Sequence, residues 1–320
     1  MDVPVATPGS SRRQQFAAIA TATLWLWLPI GGAAAAHGAQ QFLDPTLREA
    51  VDRIEVPEAG AKIVVTSYRP KGRGPFPWIV LSHGSSRSTE VNRKIGRNRN
   101  IPLVHQWVDR GYAVIVPVRR GYGDSGGDRL GDDYGDCTRP DFHRAGEGAA
   151  HDILAAVEWA KSHPDLDASR WMLVGESAGG FASIYTASTQ PRGLLAVLAF
   201  SPGRGGEAGR HPGKPCAVPQ LAKVISEIAP MIQVPVLWFY AGNDQYFGPE
   251  AQEAWFGAFH DAGGRGELYT IPAFPERQGH GVFSAPHGVP LWTPAVAGFI
   301  EREHLPLPFQ ASAGHLPERP

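Results

Sequence analysis

Short apolar runs alternate with amphipathic segments along most of the chain. Continuously apolar runs are typical of strands buried on both faces of a sheet, and segments with one polar face predict helices between them. This alternation predicts a mostly parallel central sheet with helices on both faces. The predicted strands are an opening hairpin of 53–56 and 62–68, then 78–81, 113–117, 171–174, 194–200, 236–240 and 267–271; the predicted helices are 103–110, 151–162, 178–189, 220–228, 250–262 and 294–304.

The first 36 residues do not follow this alternation. Arg12 and Arg13 precede an uncharged stretch at 16–30, and small residues continue to Ala36. These are the three regions of a secretory signal peptide, and the apolar stretch, which Pro29 interrupts, is too short to span a bilayer comfortably. We therefore expect 1–36 to be a signal peptide of an exported protein, periplasmic or secreted. An uncleaved anchor is the alternative.

Composition bounds the rest of the chain. With 42% hydrophobic and 19% charged residues, a packed globule is expected, and 38 glycines and 29 prolines indicate long, structured loops. A formal net charge of −1 gives no reason to expect nucleic acid or an anionic membrane as a partner. No linker is evident, so we expect one domain at 37–306 with an insertion at 201–235, and a disordered tail at 307–320.

The chain has only two cysteines, Cys137 and Cys216, and both lie in loops rich in glycine and proline. In an oxidising compartment such a pair predicts a disulfide. A metal site or a catalytic thiol would need further partners, and neither cysteine has another at C-x-x-C spacing.

The pattern G-x-S-x-G, which can mark a nucleophilic serine, occurs twice, around Ser125 and around Ser177. A nucleophile elbow requires a strand directly before the serine and a helix directly after it. A predicted strand and a predicted helix flank Ser177 in this way. The residues after Ser125 do not begin a helix, so we interpret Ser125 as a loop residue and predict Ser177 as the nucleophile.

A serine hydroxyl needs a histidine base that a carboxylate orients, and at a strand–elbow–helix the chain order is Ser, acid, His. Asp244 follows a predicted buried strand, whereas Glu250 begins the next helix. His280 lies in a glycine-flanked loop after the last predicted strand. His287 is its competitor, and His304 is better explained as a charge at a helix end. We predict Asp244 as the acid and His280 as the base.

An oxyanion hole needs two preorganised N–H donors. The residue after the nucleophile, Ala178, offers one backbone N–H. The loop after the strand 78–81 offers the other, and there Gly84 permits a tight backbone and Ser85 is the predicted donor. We interpret His83 as a support of this loop rather than as a catalytic group.

Five segments of the chain, taken in order, resemble the α/β-hydrolase superfamily: SHG, RRGYGDSGG, GESAGG, YAGNDQYF and GHGVF. The similarity covers about residues 50–305 and is greatest to exported bacterial hydrolases of the dienelactone-hydrolase-like group; the catalytic domain of prolyl oligopeptidases is also similar. It implies the α/β-hydrolase fold with loop insertions at the active-site edge, the triad Ser177, Asp244 and His280, and no cofactor or metal. Dienelactone hydrolases use a cysteine nucleophile, whereas the nucleophile position in this chain is Ser177. The resemblance therefore does not imply that this protein acts on dienelactones.

These observations predict a serine hydrolase that cleaves small carboxylic esters through an acyl-enzyme. A serine peptidase similar to the prolyl oligopeptidase catalytic domain is an alternative, and so are an acyltransferase and a non-catalytic binding protein on the same fold. The stretch 87–99 carries five basic residues and could attract an anionic substrate, but we interpret it as a solvated surface loop.

Overall fold

A sheet of eight strands forms the centre of the structure, a computed structural model that describes residues 42–127 and 130–309. Every predicted strand is present; one has its predicted bounds, four are longer than predicted by one residue, and three are longer by three to seven residues. The strands are β1 (Ala50–Val56), β2 (Ala61–Tyr68), β3 (Phe76–Ser82), β4 (Ala113–Val118), β5 (Leu166–Glu176), β6 (Leu194–Phe200), β7 (Val236–Ala241) and β8 (Gly266–Ile271).

The strands are arranged in the order β1-β2-β4-β3-β5-β6-β7-β8. Strand β2 is antiparallel to both β1 and β4, and all other neighbouring pairs are parallel. The predicted mostly parallel sheet is therefore confirmed. Because parallel strands end at one edge of the sheet, the loops after β3, β4, β5, β6, β7 and β8 emerge together there.

Helices cover both faces of the sheet. Along β3, Trp78 and Val80 point into one apolar core while Ile79 and Leu81 point into the other, as the two-residue period of a strand requires. The helices α3, α4, α5 and α6 supply residues to the first core, and α2 and α7 supply residues to the second. The helices are α1 (Thr89–Arg93), α2 (Ile101–Val108), α3 (Phe142–Lys161), α4 (Ala178–Ser188), α5 (Val218–Ile228), α6 (Pro249–Asp261) and α7 (Val289–Arg302).

Helix α3 begins at Phe142 rather than at 151, where the sequence predicted its start. Glycine weakens a helix, so the pattern missed its first turns. The structure gives these glycines a packing role: a Cβ on Gly146 would lie 2.1 Å from the Tyr185 ring, and one on Gly148 would lie 1.9 Å from the carbonyl oxygen of Gly131. Only glycine lets α3 approach its neighbours this closely.

The basic stretch 87–99 is less solvated than predicted. It contains the short helix α1, and the guanidinium of Arg97 is buried with the carboxylate of Glu49 at 2.7 Å. Arg99 binds the same carboxylate at 2.8 Å. Part of this positive charge is thus neutralised inside the protein.

The last described residues correct the predicted boundary of the tail. Leu307 and Phe309 are buried, and the Phe309 ring packs 5.5 Å from the ring of Trp107 and 6.3 Å from that of Tyr112. The described chain from Leu43 onward belongs to one compact unit, and none of its helices is long and apolar enough to cross a bilayer. The predicted signal peptide 1–36 and the rest of the predicted tail, 310–320, lie outside the described residues.

Candidate active site

Ser177 occupies a sharp turn between β5 and α4. Its φ of 59° and ψ of −123° are sparsely populated by residues with a side chain, and such strained backbone is frequent at functional sites. Three hydrogen bonds hold the turn. The Ser177 N–H donates to the Phe200 carbonyl at 2.8 Å, and the Ser177 carbonyl accepts from the N–H groups of Phe181 at 3.1 Å and Gly203 at 3.2 Å. The geometry is that of a nucleophile elbow.

Glycines let three backbones converge around Ser177. A Cβ on Gly175 would lie 2.2 Å from the carbonyl oxygen of Gly179, and a Cβ on Gly179 would lie 2.1 Å from that of Ser82. A Cβ on Gly84 would lie 3.3 Å from the Cβ of Ser177. The end of β5, the start of α4 and the loop after β3 are therefore in close contact at the serine.

Asp244 follows β7 and is 1% exposed. Its Oδ1 accepts hydrogen bonds from the N–H groups of Tyr246 at 2.8 Å and Phe247 at 3.0 Å. The Nδ1 atom of His280 lies 2.9 Å from Oδ2 and 3.1 Å from Oδ1 of the same carboxylate. The structure thus pairs the predicted acid with the predicted base.

The loop that presents His280 has an unusual backbone. Arg277, Gln278 and Gly279 all have positive φ, of 47°, 58° and 81°, and this run turns the chain so that His280 faces Asp244. The His280 ring stacks on the Tyr246 ring at 4.3 Å between centroids and meets the edge of the Phe247 ring at 5.2 Å. These contacts fix the plane of the imidazole.

Ser177 and His280 line one cavity of about 900 Å³ at the carboxyl edge of the sheet. Gly84 and Ser85 also line it. Among the described residues, neither the Ser85 N–H nor the Ala178 N–H donates a hydrogen bond to another protein group. Two free N–H donors therefore accompany the serine, as an oxyanion hole requires.

The rejected sequence candidates have other surroundings. The Ser125 hydroxyl donates to the Val118 carbonyl at 2.5 Å and accepts from the Val64 N–H at 2.9 Å, so it bridges β2 and β4. The side chain of His287 is 83% exposed and contacts Glu276. Glu250 is exposed in the first turn of α6. His304, predicted to end the last helix, is exposed in the turn after α7, which ends at Arg302.

His83 is the first residue of the loop after β3, and its ring is buried and neutral. The Arg119 N–H donates to its Nε2 at 3.1 Å, so Nδ1 carries the proton and donates to the Gly84 carbonyl at 2.7 Å. Burial, together with the nearby Arg119 charge, lowers the pKa of His83 to about 3. The ring therefore supports the loop, as predicted.

The two cysteines form the predicted disulfide. Cys137 lies in the loop after β4 and Cys216 lies in the insertion, and their Cα atoms are 5.7 Å apart. On the cavity side, Arg87 donates to the Cys137 sulfur at 2.8 Å and binds Glu207 at 2.6 Å. The disulfide thus ties together two loops that border the cavity.

One buried charge cluster beside the cavity was not predicted. The Asp132 carboxylate lies between the guanidinium groups of Arg119 and Arg204, in loops where no sequence pattern marks a charged residue as buried. No group of three His, Cys, Asp or Glu side chains suited to a metal ion occurs within 42–127 and 130–309.

Three solved structures illustrate the similarity of this fold to known proteins. A candidate dienelactone hydrolase from Klebsiella pneumoniae has 21% identity and a TM-score of 0.52, covering 79% of this chain and 99% of that one. An esterase from Pyrococcus furiosus has 17% identity and a TM-score of 0.56, and the match covers 80% of this chain and 93% of the esterase chain. An acylaminoacyl peptidase from Pyrococcus horikoshii has 16% identity and a TM-score of 0.55, and the match covers 84% of this chain and 43% of the peptidase chain. The fold is that of the α/β-hydrolases.

At the sequence level, the family described as X-Pro dipeptidyl-peptidase (S15 family) matches residues 59–227, more than half of the chain. No curated protein sequence matches significantly. The matched region includes the elbow at Ser177 and both cysteines.

Proposed function

The chain belongs to the X-Pro dipeptidyl-peptidase (S15) family, and from that premise we propose that it is a serine hydrolase with Ser177 as its nucleophile. The observation that supports this most is the strained elbow at Ser177, which lines the same cavity as a His280 ring paired with Asp244. A histidine held by a buried carboxylate is the arrangement that activates a serine hydroxyl.

In the proposed reaction, His280 accepts the Ser177 hydroxyl proton as Oγ bonds to the substrate carbonyl carbon. Asp244 holds the imidazole and stabilises its charged form. The N–H groups of Ser85 and Ala178 stabilise the negative oxygen of the tetrahedral intermediate. The intermediate collapses to an acyl-enzyme as His280 protonates the leaving group. His280 then deprotonates a water molecule, whose oxygen bonds to the acyl carbon. As this second tetrahedral intermediate collapses, the bond to Ser177 Oγ breaks and His280 returns the proton to Oγ, which releases the acid and restores both residues.

We propose a small carboxylic ester as the substrate. The family name makes an X-Pro peptide the second candidate, and such a substrate has a protonated amino terminus that an unpaired carboxylate would bind. Among the described residues, each carboxylate that lines the cavity already has an arginine within 4.0 Å, which favours the ester. These carboxylates are Asp132, Asp133, Glu176 and Glu207.

The activity is tested with a panel of acyl p-nitrophenyl esters and X-Pro p-nitroanilides. We expect ester turnover that Ser177→Ala lowers by roughly 10³-fold or more, because the nucleophile is lost. Ser125→Ala is the matched control and should retain most of the rate. A fluorophosphonate should label Ser177, and its attachment to Ser125 would contradict the assignment. A preference for the p-nitroanilides would favour the peptidase.

The base is tested in the same assay with two histidine variants. His280→Ala should lose activity by orders of magnitude, whereas His287→Ala, whose ring is exposed, should not. Adding an alcohol to the assay separates the hydrolase from an acyltransferase, which would form a new ester instead of the free acid. A non-catalytic binding protein would turn over no member of the panel.

We also propose that the protein is exported. The Cys137–Cys216 disulfide supports this, since such bonds persist in oxidising compartments. Mass spectrometry of the exported protein, without reduction, should find a chain that starts near His37 and a peptide pair joined through the two cysteines. A chain that still starts at Met1, or two free thiols, would contradict the proposal.

A further inference from the structure

Asp132 lies where three loops of the cavity wall meet. It is fully buried, and its Oδ2 accepts hydrogen bonds from Arg119 Nε at 3.2 Å and Arg204 Nη2 at 2.5 Å. Its Oδ1 accepts from the Tyr122 hydroxyl at 2.8 Å. Both carboxylate oxygens are therefore engaged by protein donors, and Asp132 is bound in one fixed orientation.

This carboxylate is charged. Burial alone raises the pKa of Asp132, but the positive charges of Arg204 and Arg119 outweigh burial and hold the pKa well below its usual range. One buried negative charge thus holds two buried positive ones. Buried ion pairs are sensitive to the loss of a partner, so the positions of the two guanidinium groups depend on Asp132.

The first guanidinium leads to the Ser85 N–H. Arg119 donates from Nη1 to the Ser82 hydroxyl at 2.8 Å and from its main-chain N–H to His83, whose Nδ1 donates to the Gly84 carbonyl. The Gly84 carbonyl and the Ser85 N–H belong to one peptide unit. Because a trans peptide directs these two groups oppositely, the bond that holds the carbonyl points the N–H away from His83.

The second guanidinium leads to the Ala178 N–H. Arg204 directly follows Gly203, whose N–H donates to the Ser177 carbonyl at 3.2 Å, beside the Phe181 N–H of α4, which donates to the same oxygen at 3.1 Å. The Ser177 carbonyl and the Ala178 N–H again belong to one trans peptide unit, so the N–H points in the direction opposite to the carbonyl. Each of the two proposed oxyanion donors is therefore oriented through the carbonyl of its own peptide unit. At each carbonyl, one hydrogen bond connects through an arginine to Asp132.

We propose that Asp132 is a positioning residue that sets the two halves of the oxyanion hole relative to each other, an inference that rests on the proposed function. The carboxylate does not contact the substrate; it acts through Arg119 and His83 on one side and through Arg204 and Gly203 on the other. Its loss should impair stabilisation of the transition state more than binding of the ester.

The test compares Asp132→Asn with Asp136→Asn in the ester assay. Asp136 is four positions further along the same loop, exposed and outside the cavity, so it is a matched control. We expect Asp132→Asn to lower kcat roughly 100-fold, with KM within about threefold, because displacing catalytic groups by about 1 Å costs on the order of 10²-fold and losing one oxyanion donor costs on the order of 10²- to 10³-fold. The control should change neither constant by more than about twofold.

A tetrahedral-adduct inhibitor gives a readout that a purely structural role would not change. A trifluoromethyl ketone places its oxyanion in the hole, so its affinity should fall by the same factor as kcat/KM in Asp132→Asn. Arg119→Met is the second variant, because it leaves the Asp132–Arg204 pair in place with balanced charge. It should also lower kcat with KM unchanged.

Folding is checked through the Cys137–Cys216 disulfide and a cooperative melting transition. Folded Asp132→Asn or Arg119→Met with an unchanged kcat, or with a raised KM alone, would overturn the inference; so would two variants that both fail to fold. Ser177→Ala is assayed in parallel. Ester turnover that is retained in Ser177→Ala would reject the proposed function itself. Turnover that is lost in Ser177→Ala but unchanged in Asp132→Asn would reject only the positioning role of Asp132.

Discussion

The carboxylate of Glu49 is buried between two guanidinium groups just before β1. Arg97 Nη1 donates to it at 2.7 Å, Arg99 donates from Nε and Nη2 at 2.9 and 2.8 Å, and the Asp44 N–H donates at 2.6 Å. Burial raises the pKa, but the Arg99, Asp44 and Arg97 donors outweigh it and lower the pKa of Glu49 to about 2. The charged form is therefore strongly favoured in the folded protein.

A lowered pKa makes Glu49 a source of pH-dependent stability. The unfolded carboxyl takes up its proton near pH 4.5 and the folded one near pH 2, so the contribution is complete above pH 4.5 and is lost as pH falls to about 2. Glu49→Gln should reduce the free energy of unfolding at neutral pH by on the order of 3 kcal/mol. Urea unfolding at a series of pH values measures both effects.

Glu55→Gln is the control, since Glu55 makes an exposed ion pair with Lys62 on the same hairpin. It should cost less than about 1 kcal/mol. Equal losses in the two variants, or a pH dependence that Glu49→Gln leaves unaltered, would show that the buried pair is not a source of stability.

At the scale of residues, the sequence predicts those side chains that a motif or their order along the chain identifies. It does not predict side chains whose role depends only on tertiary contacts. Ser177, Asp244 and His280 could be selected because each follows a strand in the required order. Asp132 could not, because its burial depends on Arg119, thirteen residues earlier in the same loop, and on Arg204 from the loop after β6.

At the scale of elements, the contact between α4 and β3 depends on Gly179. A Cβ there would lie 2.1 Å from the Ser82 carbonyl oxygen and 2.5 Å from that of His83, distances that backbone atoms must move to relieve. Gly179→Ala should therefore lower the free energy of unfolding by roughly 1–3 kcal/mol despite the better helix propensity of alanine. It should also lower kcat, because the first turn of α4 moves away from the oxyanion loop.

Gly257 in α6 provides the comparison. A Cβ there would meet nothing within 4 Å, so Gly257→Ala should leave kcat unchanged and raise stability by up to about 1 kcal/mol. Denaturant unfolding of both variants measures the change in stability, and ester assays measure the change in kcat. Equal stabilities of the two alanine variants would contradict the close contact.

Elements were predicted where apolar side chains are continuous, because a buried strand requires them. The strand β6 was predicted with its observed bounds, Leu194–Phe200, for this reason. The first turns of α3 were missed, since Gly146 and Gly148 argue locally against a helix and only packing against Tyr185 and Gly131 explains them. In these turns the low helix propensity of glycine disfavours a helix, but tertiary packing favours it, and the helix forms.

At the scale of the whole molecule, the order of strands was not predictable from apolar runs, which do not identify neighbours. The structure shows that β4 lies between β2 and β3, so the loop after β4 reaches the same edge as the elbow. There the disulfide joins it to the insertion across 79 residues. Through the loop-closure entropy it removes from the unfolded chain, such a bond stabilises the protein by roughly 4–5 kcal/mol.

The packing of Phe309 has a practical consequence for engineering. The Phe309 ring packs in an aromatic cluster with Trp107 and Tyr112, and the Arg110 guanidinium lies over the Phe309 ring, 5.2 Å from its centroid. A shortened protein that stopped at Pro306 would leave Trp107, now fully buried, open to water. Truncation or fusion at the carboxyl end should therefore keep the chain through Phe309, so that an affinity tag or reporter begins only beyond the residue that seals this cluster.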